Sequence, residues 1–395
     1  MRRILWIGLV LAGQCACAQN DQPITLILWM GKPAHHYSLT PAPLKYNKDF
    51  AFSFTLDDGL VSALRVALPY FAGGRVSPPY TDEWGFDQGG DGHFYRGLYY
   101  TDGCGHRRPF RAAIAINGGK MAADDRDHAG FLSWRQVDTL KEWGWDIFDH
   151  GYGHLTGAGV NAAAEISNNG QAVEERMGIQ MTQFVVPGGK DDALSQESYA
   201  AAAFAAGRLA VHNGHYAMDW SLPEDAAAAR HIRAGRWFFS SRQGNWNKAF
   251  YKSLAHLLQT KEKAWINAFT HATGNDDVWN ISLRFPDFKT FFDGLAARYG
   301  EKGKDNMWMA SFQEVQDYQI IRHTLKYDLR VEGNRLYCRF DPRTVPRGLK
   351  HNACSFIWRS AQPVRAVKCV GCRVESYTEV RPGDKVQQQV INMNW

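Results

Sequence analysis

Two acids stand side by side at Asp57-Asp58, where the apolar run Phe50 to Leu56 ends and Gly59 follows. Adjacent carboxylates raise each other's pKa unless a cation neutralises one of them, and a glycine behind them permits a sharp turn. The pair therefore reads as half of a metal site, against the alternative of a solvated Asp-Asp-Gly turn. A second segment follows the same plan: Asp146-Ile-Phe-Asp149 is a short apolar stretch ending in polar groups, and His150 and His154 lie four apart behind it. On a helical turn such a pair shares a face and both rings can reach one ion. Asp58, His150 and His154 together make three ligands with positions left open for water and substrate, the arrangement of catalytic rather than structural zinc sites. The expected cofactor is a divalent metal ion, zinc or one like it.

The order and setting of these motifs resemble the polysaccharide deacetylases, carbohydrate esterase family four. The resemblance spans roughly Phe50 to Tyr318. Thr55-Leu56-Asp57-Asp58-Gly59 is similar to the family's first motif, with Leu56 where the family usually has Phe, and His150 to His154 is similar to its histidine motif. Phe184-Val-Val-Pro187-Gly188-Gly189 resembles the third motif, a groove wall that helps hold the oxyanion, and Ala268-Phe-Thr-His271 resembles the last. Asp219-Trp220 loosely echoes the acid and tryptophan of the fourth motif, which support the acid histidine and its pocket. The resemblance implies Asp57 as base, His271 as acid toward the leaving amine, and Pro187, Gly188, Gly189, Asp219 and Trp220 as substrate contacts. It also exposes a departure: Val185 or Val186 stands where the family carries an arginine that braces the base, with Lys190 as the nearby cation. The implied function is removal of N- or O-acetyl groups from an acetylated polysaccharide of the cell envelope or exterior. The competing reading is a glycan-binding protein that kept the fold and lost turnover.

Elements of ordinary length must position these groups. Apolar runs at Phe50 to Leu56, Arg111 to Ile116, Asp146 to Asp149, Phe184 to Val186, Arg208 to Val211, Ala264 to Thr270 and Met307 to Ala310 alternate with helical stretches. That alternation predicts a parallel α/β sheet or barrel; with the resemblance, the fold class is α/β, a distorted (β/α) barrel. Acids at strand C-terminal ends sit where such folds place active sites. From about Leu325 the pattern changes to two alternating runs around Glu332-Gly333-Asn334, a hairpin signal. The expected division is a signal at 1–18, a catalytic domain at 19–324 and a small β-rich module at 325–395. An insertion at about 73–109, rich in Gly, Tyr and Asp and carrying Trp84, is either a lid over the groove or a decorated loop, and its aromatic faces suit either sugar stacking or a small hydrophobic cluster.

The 395 residues, 45% hydrophobic and 22% charged, exclude a disordered chain, and the net charge of +5, with scattered Lys and Arg, offers no nucleic-acid footprint. Past the N-terminus no apolar run reaches membrane-spanning length. Met1-Arg2-Arg3, the apolar run Ile4 to Ala12 and Ala16-Cys17-Ala18 read as a secretory signal, so export to the periplasm or beyond is expected, with lipid anchoring disfavoured. Of the remaining cysteines, Cys338, Cys354, Cys369 and Cys372 could form two bridges and leave Cys104 odd. His212 and His215 lack a third ligand for a second metal pair.

Overall fold

The computed structural model describes residues 22–188, 193–260, 262–380 and 388–395; the signal segment, Gly189 and Lys190 lie outside them. Nine strands form the central sheet: β3 (Phe50–Leu56), β4 (Ala113–Ile116), β5 (Asp146–Asp149), β6 (Gln183–Val185), β7 (Ala210–Asn213), β8 (Ile232–Gly235), β9 (Trp237–Phe238), β10 (Ala264–Thr270) and β11 (Met307–Met309). Every pairing in it is parallel. β8 pairs with β7 and β9 pairs with β10, yet only Arg236 separates β8 from β9. One continuous run of chain thus joins the two ends of the sheet and closes it into a nearly complete barrel. Of the parallel sheet or barrel that the strand–helix alternation left open, this is the (β/α) barrel that the resemblance implied.

Alternating residues of β3 divide the packing. Phe52 and Phe54 face outward onto Phe250, Phe291 and Phe292 of the surrounding helices, with ring centroids 5.0 to 6.3 Å apart. Ser53 faces inward, where its Oγ accepts from Trp265 Nε1 at 3.0 Å. His212 is also interior: it lies between the Phe148 and Phe312 rings and bonds Gln183 at 3.1 Å, and burial, aided by Arg236, pushes its pKa well down. It is a core histidine and has no part in a second metal pair.

The division of the chain differs from the expectation. β1 (Ile24–Met30) and β2 (Tyr37–Pro41) do not belong with the barrel. β1 lies between β13 (Arg335–Asp341) and β15 (Val364–Val370), and β12 (Lys326–Glu332) completes that sheet. β2 pairs with β14 (Ala353–Ser360), which continues through β17 (Gln388–Asn394) to β16 (Arg373–Tyr377). The two four-stranded sheets bury one core that includes Leu26, Leu28, Phe340, Phe356 and Trp358, as a sandwich does. The β module is therefore built from both ends of the chain around the barrel, and a boundary at 325 cuts through it. Cys369 and Cys372 form a disulfide, whereas Cys338 and Cys354 are free thiols buried in this core; only one of the two expected bridges is present.

Helix α6 (Phe312–Thr324) lies between the two bodies and is buried from Phe312 to Ile321. Phe312 plugs the barrel's lower end against Trp265, while Ile321 joins the sandwich core.

Candidate metal and catalytic site

The upper ends of the strands bring Asp58, His150 and His154 together. Their candidate ligand atoms lie within 4.8 Å of one another, a cluster with no second of its kind among the described residues. Asp58 Oδ1 is 3.3 Å from His150 Nε2 and 3.4 Å from His154 Nε2. Asp58 and His150 are buried and His154 is half-buried. The Nδ1 of His150 donates to Val185 O at 2.8 Å, which fixes its tautomer and leaves Nε2 available as a ligand atom. Burial alone would raise the Asp58 carboxyl, but the His150 contact and the charges of His271, His150 and His154 outweigh it and hold the group well below the usual range. Burial, the His150 charge and Lys120 together push His154 down to about 4, so its ring is neutral near pH 7, as a ligand must be. One carboxylate and two imidazole nitrogens converging on one point is a donor set that fits a divalent ion.

The histidines do not converge by sharing a helical face. Residues 150–154 form a loop, with Gly151 at φ 74° and His154 itself at φ 58°. Asp58 is also left-handed, at φ 71°. A non-glycine residue there stores about 1–3 kcal/mol of strain, which persists only where the surroundings over-determine it. Here they do. The buried Glu165 carboxylate accepts from Gly153 N at 2.8 Å and Leu155 N at 3.3 Å, and Asn117 Nδ2 donates to Gly151 O at 3.0 Å. Asp149 is no ligand. Its carboxylate is held by Arg208 at 2.7 Å and Asn169 at 2.7 Å beneath the loop.

Asp57 diverges from Asp58 toward the interior. Arg236 grips it with two parallel bonds, Nη1 to Oδ1 and Nη2 to Oδ2, both 2.9 Å, with both side chains buried. The guanidinium also stacks on Phe269, 3.7 Å from the ring centroid. The brace sought near Val185, Val186 or Lys190 therefore comes from the closing run of the barrel. Val185 packs in the core and spends its carbonyl on His150. The signal for Arg236 was present as the alternation Ala234, Arg236, Phe238, which spans two short strands hidden among loop-like residues.

His271 follows β10, and Asp57 N donates to Thr270 O at 2.9 Å, so the two groups sit at neighbouring strand ends. His271 Nδ1 donates to Ile281 O at 3.1 Å. Asp57, His150, His154, Arg236 and His271 all line one cavity of about 540 Å³. Val186 and Gly188 line it too, and Gly188, at φ 81°, leaves no room for a side chain because a Cβ would lie 2.6 Å from Thr156. Pro187 is buried next to Gly151 and backs this wall. Asn213 was missed by the sequence reading. Its Oδ1 accepts from His215 N at 2.9 Å, and its buried Nδ2 faces the cavity wall with no partner among the described residues.

Asp219 and Trp220 are not part of this site. Trp220 O accepts from Trp265 N at 2.8 Å, near the start of β10, whereas His271 lies beyond its end. That segment fills the gap between β8 and the lower half of β10, where Asp219 borders a separate cavity of about 380 Å³. The expected substrate contacts there are corrected accordingly: the segment closes the barrel wall.

No family model and no curated protein sequence matches the chain. Solved structures do. The peptidoglycan deacetylase PdaC from Bacillus subtilis aligns at 10% identity over 69% of this chain and 92% of its own, with a TM-score of 0.33. The polysaccharide deacetylase Bc1974 from Bacillus cereus aligns at 12% identity over 66% and 91%, with a TM-score of 0.33. A mutant of a CE4 family pseudoenzyme with restored enzymatic activity aligns at 10% identity over 68% and 68%, with a TM-score of 0.34. The solved structures to which this chain is similar are thus polysaccharide and peptidoglycan deacetylases, at a distance where the fold of this chain rests on its own coordinates.

Proposed function

We propose that this chain is an exported, metal-dependent deacetylase acting on an acetylated polysaccharide. The observation that carries the reading is the convergence, at one cavity, of Asp58, His150 and His154 with the Arg236-braced Asp57 and with His271. A divalent ion held by Asp58, His150 and His154, zinc being the expected one, would polarise the acyl carbonyl and acidify the attacking water. Asp57 keeps lone pairs outside the Arg236 fork and takes the water's proton. His271, oriented through Nδ1 by Ile281, delivers a proton from Nε2 to the departing amine or alcohol. Gly188 forms part of the cavity wall and lets it pass close to Thr156.

The binding-only reading was made conceivable by a missing arginine, and the Arg236 pair with Asp57 favours the catalytic reading instead. Export is supported by the basic-apolar start of the chain and by the Cys369–Cys372 disulfide, a bond that persists in oxidising compartments. The test is metal analysis of the purified protein together with acetate release from N-acetylglucosamine oligomers, acetylated xylan and peptidoglycan strands. Wild type should hold one divalent ion and release acetate from at least one of these, and His154→Ala should do neither. A metal-loaded wild type that releases no acetate from any of them would refute the proposed activity.

A further inference from the structure

The insertion at 73–109 is not a free loop. The buried Asp82 carboxylate accepts from Trp84 N and Phe86 N, both at 2.9 Å, and from Gln88 Nε2 at 2.7 Å. Gln88 Nε2 also donates to Gly130 O at 3.1 Å. Asp87 ties the loop to the segment behind His271: its N donates to Asp276 Oδ2 at 2.8 Å and its Oδ2 accepts from Asn275 Nδ2 at 2.9 Å. These bonds answer the choice between lid and fixed decoration in favour of the latter.

What the insertion carries is a partly exposed indole. Trp84 packs against Phe131 and Trp279, each with ring centroids 4.9 Å away, so three rings from three separate segments meet. Gly130 makes room for this, since a Cβ there would lie 2.2 Å from Trp84. Trp279 is held out by a left-handed backbone, φ 49°. Trp84 is 36% exposed and Trp279 41% exposed, an unusual outlay of aromatic surface for a soluble face. The cluster is tied on two sides to the segments that carry the catalytic groups. Phe131 bridges to Leu60, two residues beyond Asp58, and Ile281, two residues beyond Trp279, lines the cavity and orients His271.

We propose that Trp84, Trp279 and Phe131 form a prebuilt stacking subsite for a sugar ring adjacent to the one being deacetylated. An aromatic face carries negative charge density and meets the C–H-bearing face of a pyranose, while the ring's hydroxyls stay in water. A surface already rigid loses little entropy on binding. The substrate is accordingly a glycan chain of at least two units, not a single acylated sugar. This rests on the proposed deacetylase reading.

The experiment compares kcat/KM on N-acetylglucosamine oligomers of one to five units, and on acetylated xylo-oligosaccharides of the same lengths, with that on p-nitrophenyl acetate. Wild type should improve from one unit to two or more in at least one series. In Trp279→Ala and Trp84→Ala, the ratio of oligomer to ester kcat/KM should fall by about tenfold, the size expected of one aromatic stack, mainly through KM. Trp279→Tyr should restore most of it, and thermal unfolding of each variant checks the fold. Variants that keep the wild-type length dependence, or a folded Trp279→Ala that loses ester and oligomer activity equally, would overturn the subsite. So would a wild type indifferent to length in both series. Absence of any acetate release would instead overturn the deacetylase reading; quenching of tryptophan fluorescence by the five-unit oligomers, lost in Trp279→Ala, then decides the subsite alone, and no quenching in wild type rejects it.

Discussion

Asp57 and Asp58 are neighbours with different partners because the backbone turns left-handed at Asp58, at φ 71°, and throws the two carboxylates apart, one onto Arg236 and the other toward His150 and His154. Their substitutions should therefore fail differently. Asp57→Asn removes a proton acceptor and should keep its metal while losing about 10²- to 10⁴-fold in kcat; Asp58→Asn should lose metal, measured on the dialysed protein. Full acetate release by metal-loaded Asp57→Asn would sink the assigned role. Arg236 gives a further prediction. Arg236→Ala leaves a buried carboxylate unpaired, which costs about 3–5 kcal/mol, and Arg236→Lys supplies charge without the fork. Both should unfold at lower denaturant than wild type, with lysine closer to it. Asp57, Asp58, His150, His154 and His271, which the structure brings together, were legible because they stand next to strand ends that are themselves apolar. Arg236 was not, since it stands between strands of only four and two residues and its role depends on where the barrel closes. Asp219-Trp220 misled for the opposite reason: a fitting pair of residue types at a place in the fold fixed by Trp265, far along β10 from His271.

At the scale of elements, strands with continuous apolar runs were readable and α6 was not. Its residues Gln313, Glu314, Gln316, Asp317 and Gln319 are all buried, so it has no apolar stripe from which a helix can be inferred. Its polarity has a physical use. Gln316 Nε2 donates to Leu209 O at 3.0 Å and Ala229 O at 2.8 Å, and its Oε1 accepts from Gln183 at 2.7 Å. Glu314 pairs with Lys45 at 3.1 Å, and Gln319 donates to Pro43 O at 2.9 Å. Such a helix joins two bodies through satisfied hydrogen bonds where an apolar one would leave backbone carbonyls bare. Gln316→Leu, close in volume, should accordingly destabilise the protein by about 1–3 kcal/mol for the groups it strands. Urea unfolding measures this; a neutral result would mean that water replaces the amide.

On the scale of the whole molecule, the sandwich holds the barrel's base through a buried set of charges. Asp146, at the start of β5, meets His351 at 2.9 Å and also Lys350 and Ser311, and Asp317 Oδ2 accepts from the backbone N of Lys350 and of His351, both at 3.0 Å. A chain ending at 324 would lose these partners along with all the strands that pair with β1 and β2, so it should not fold. Recovery of a soluble, metal-binding 22–324 fragment would contradict that. The same junction makes stability depend on pH in a definite direction. Burial pushes the Asp317 carboxyl up to about 7, an effect that the charge and backbone of His351 only partly offset. In the unfolded chain the group titrates near 4. Between those values the folded state holds a proton that the unfolded state has released, so the Asp317 contribution is complete below about pH 4 and is lost by about 7. His351 adds to the trend. Burial would lower its pKa, but Asp146 outweighs this and raises it, so its contribution is present below about 6.5 and drains away as pH climbs through the higher folded value. Asp146 runs the other way, held far below the usual range by His351 and Lys350 against the pull of burial, and its contribution is full above about pH 4 and drains away as pH falls below that. Asp317→Asn isolates the first of these. The unfolding free energy of wild type minus that of the variant should fall by about 1.4 kcal/mol per pH unit from about 4 to about 7 and stay level above it. Denaturant titrations across that range provide the measurement. A difference that is flat throughout, or that rises with pH, would mean that Asp317 is ionised in the folded protein and that the junction is held by charge alone.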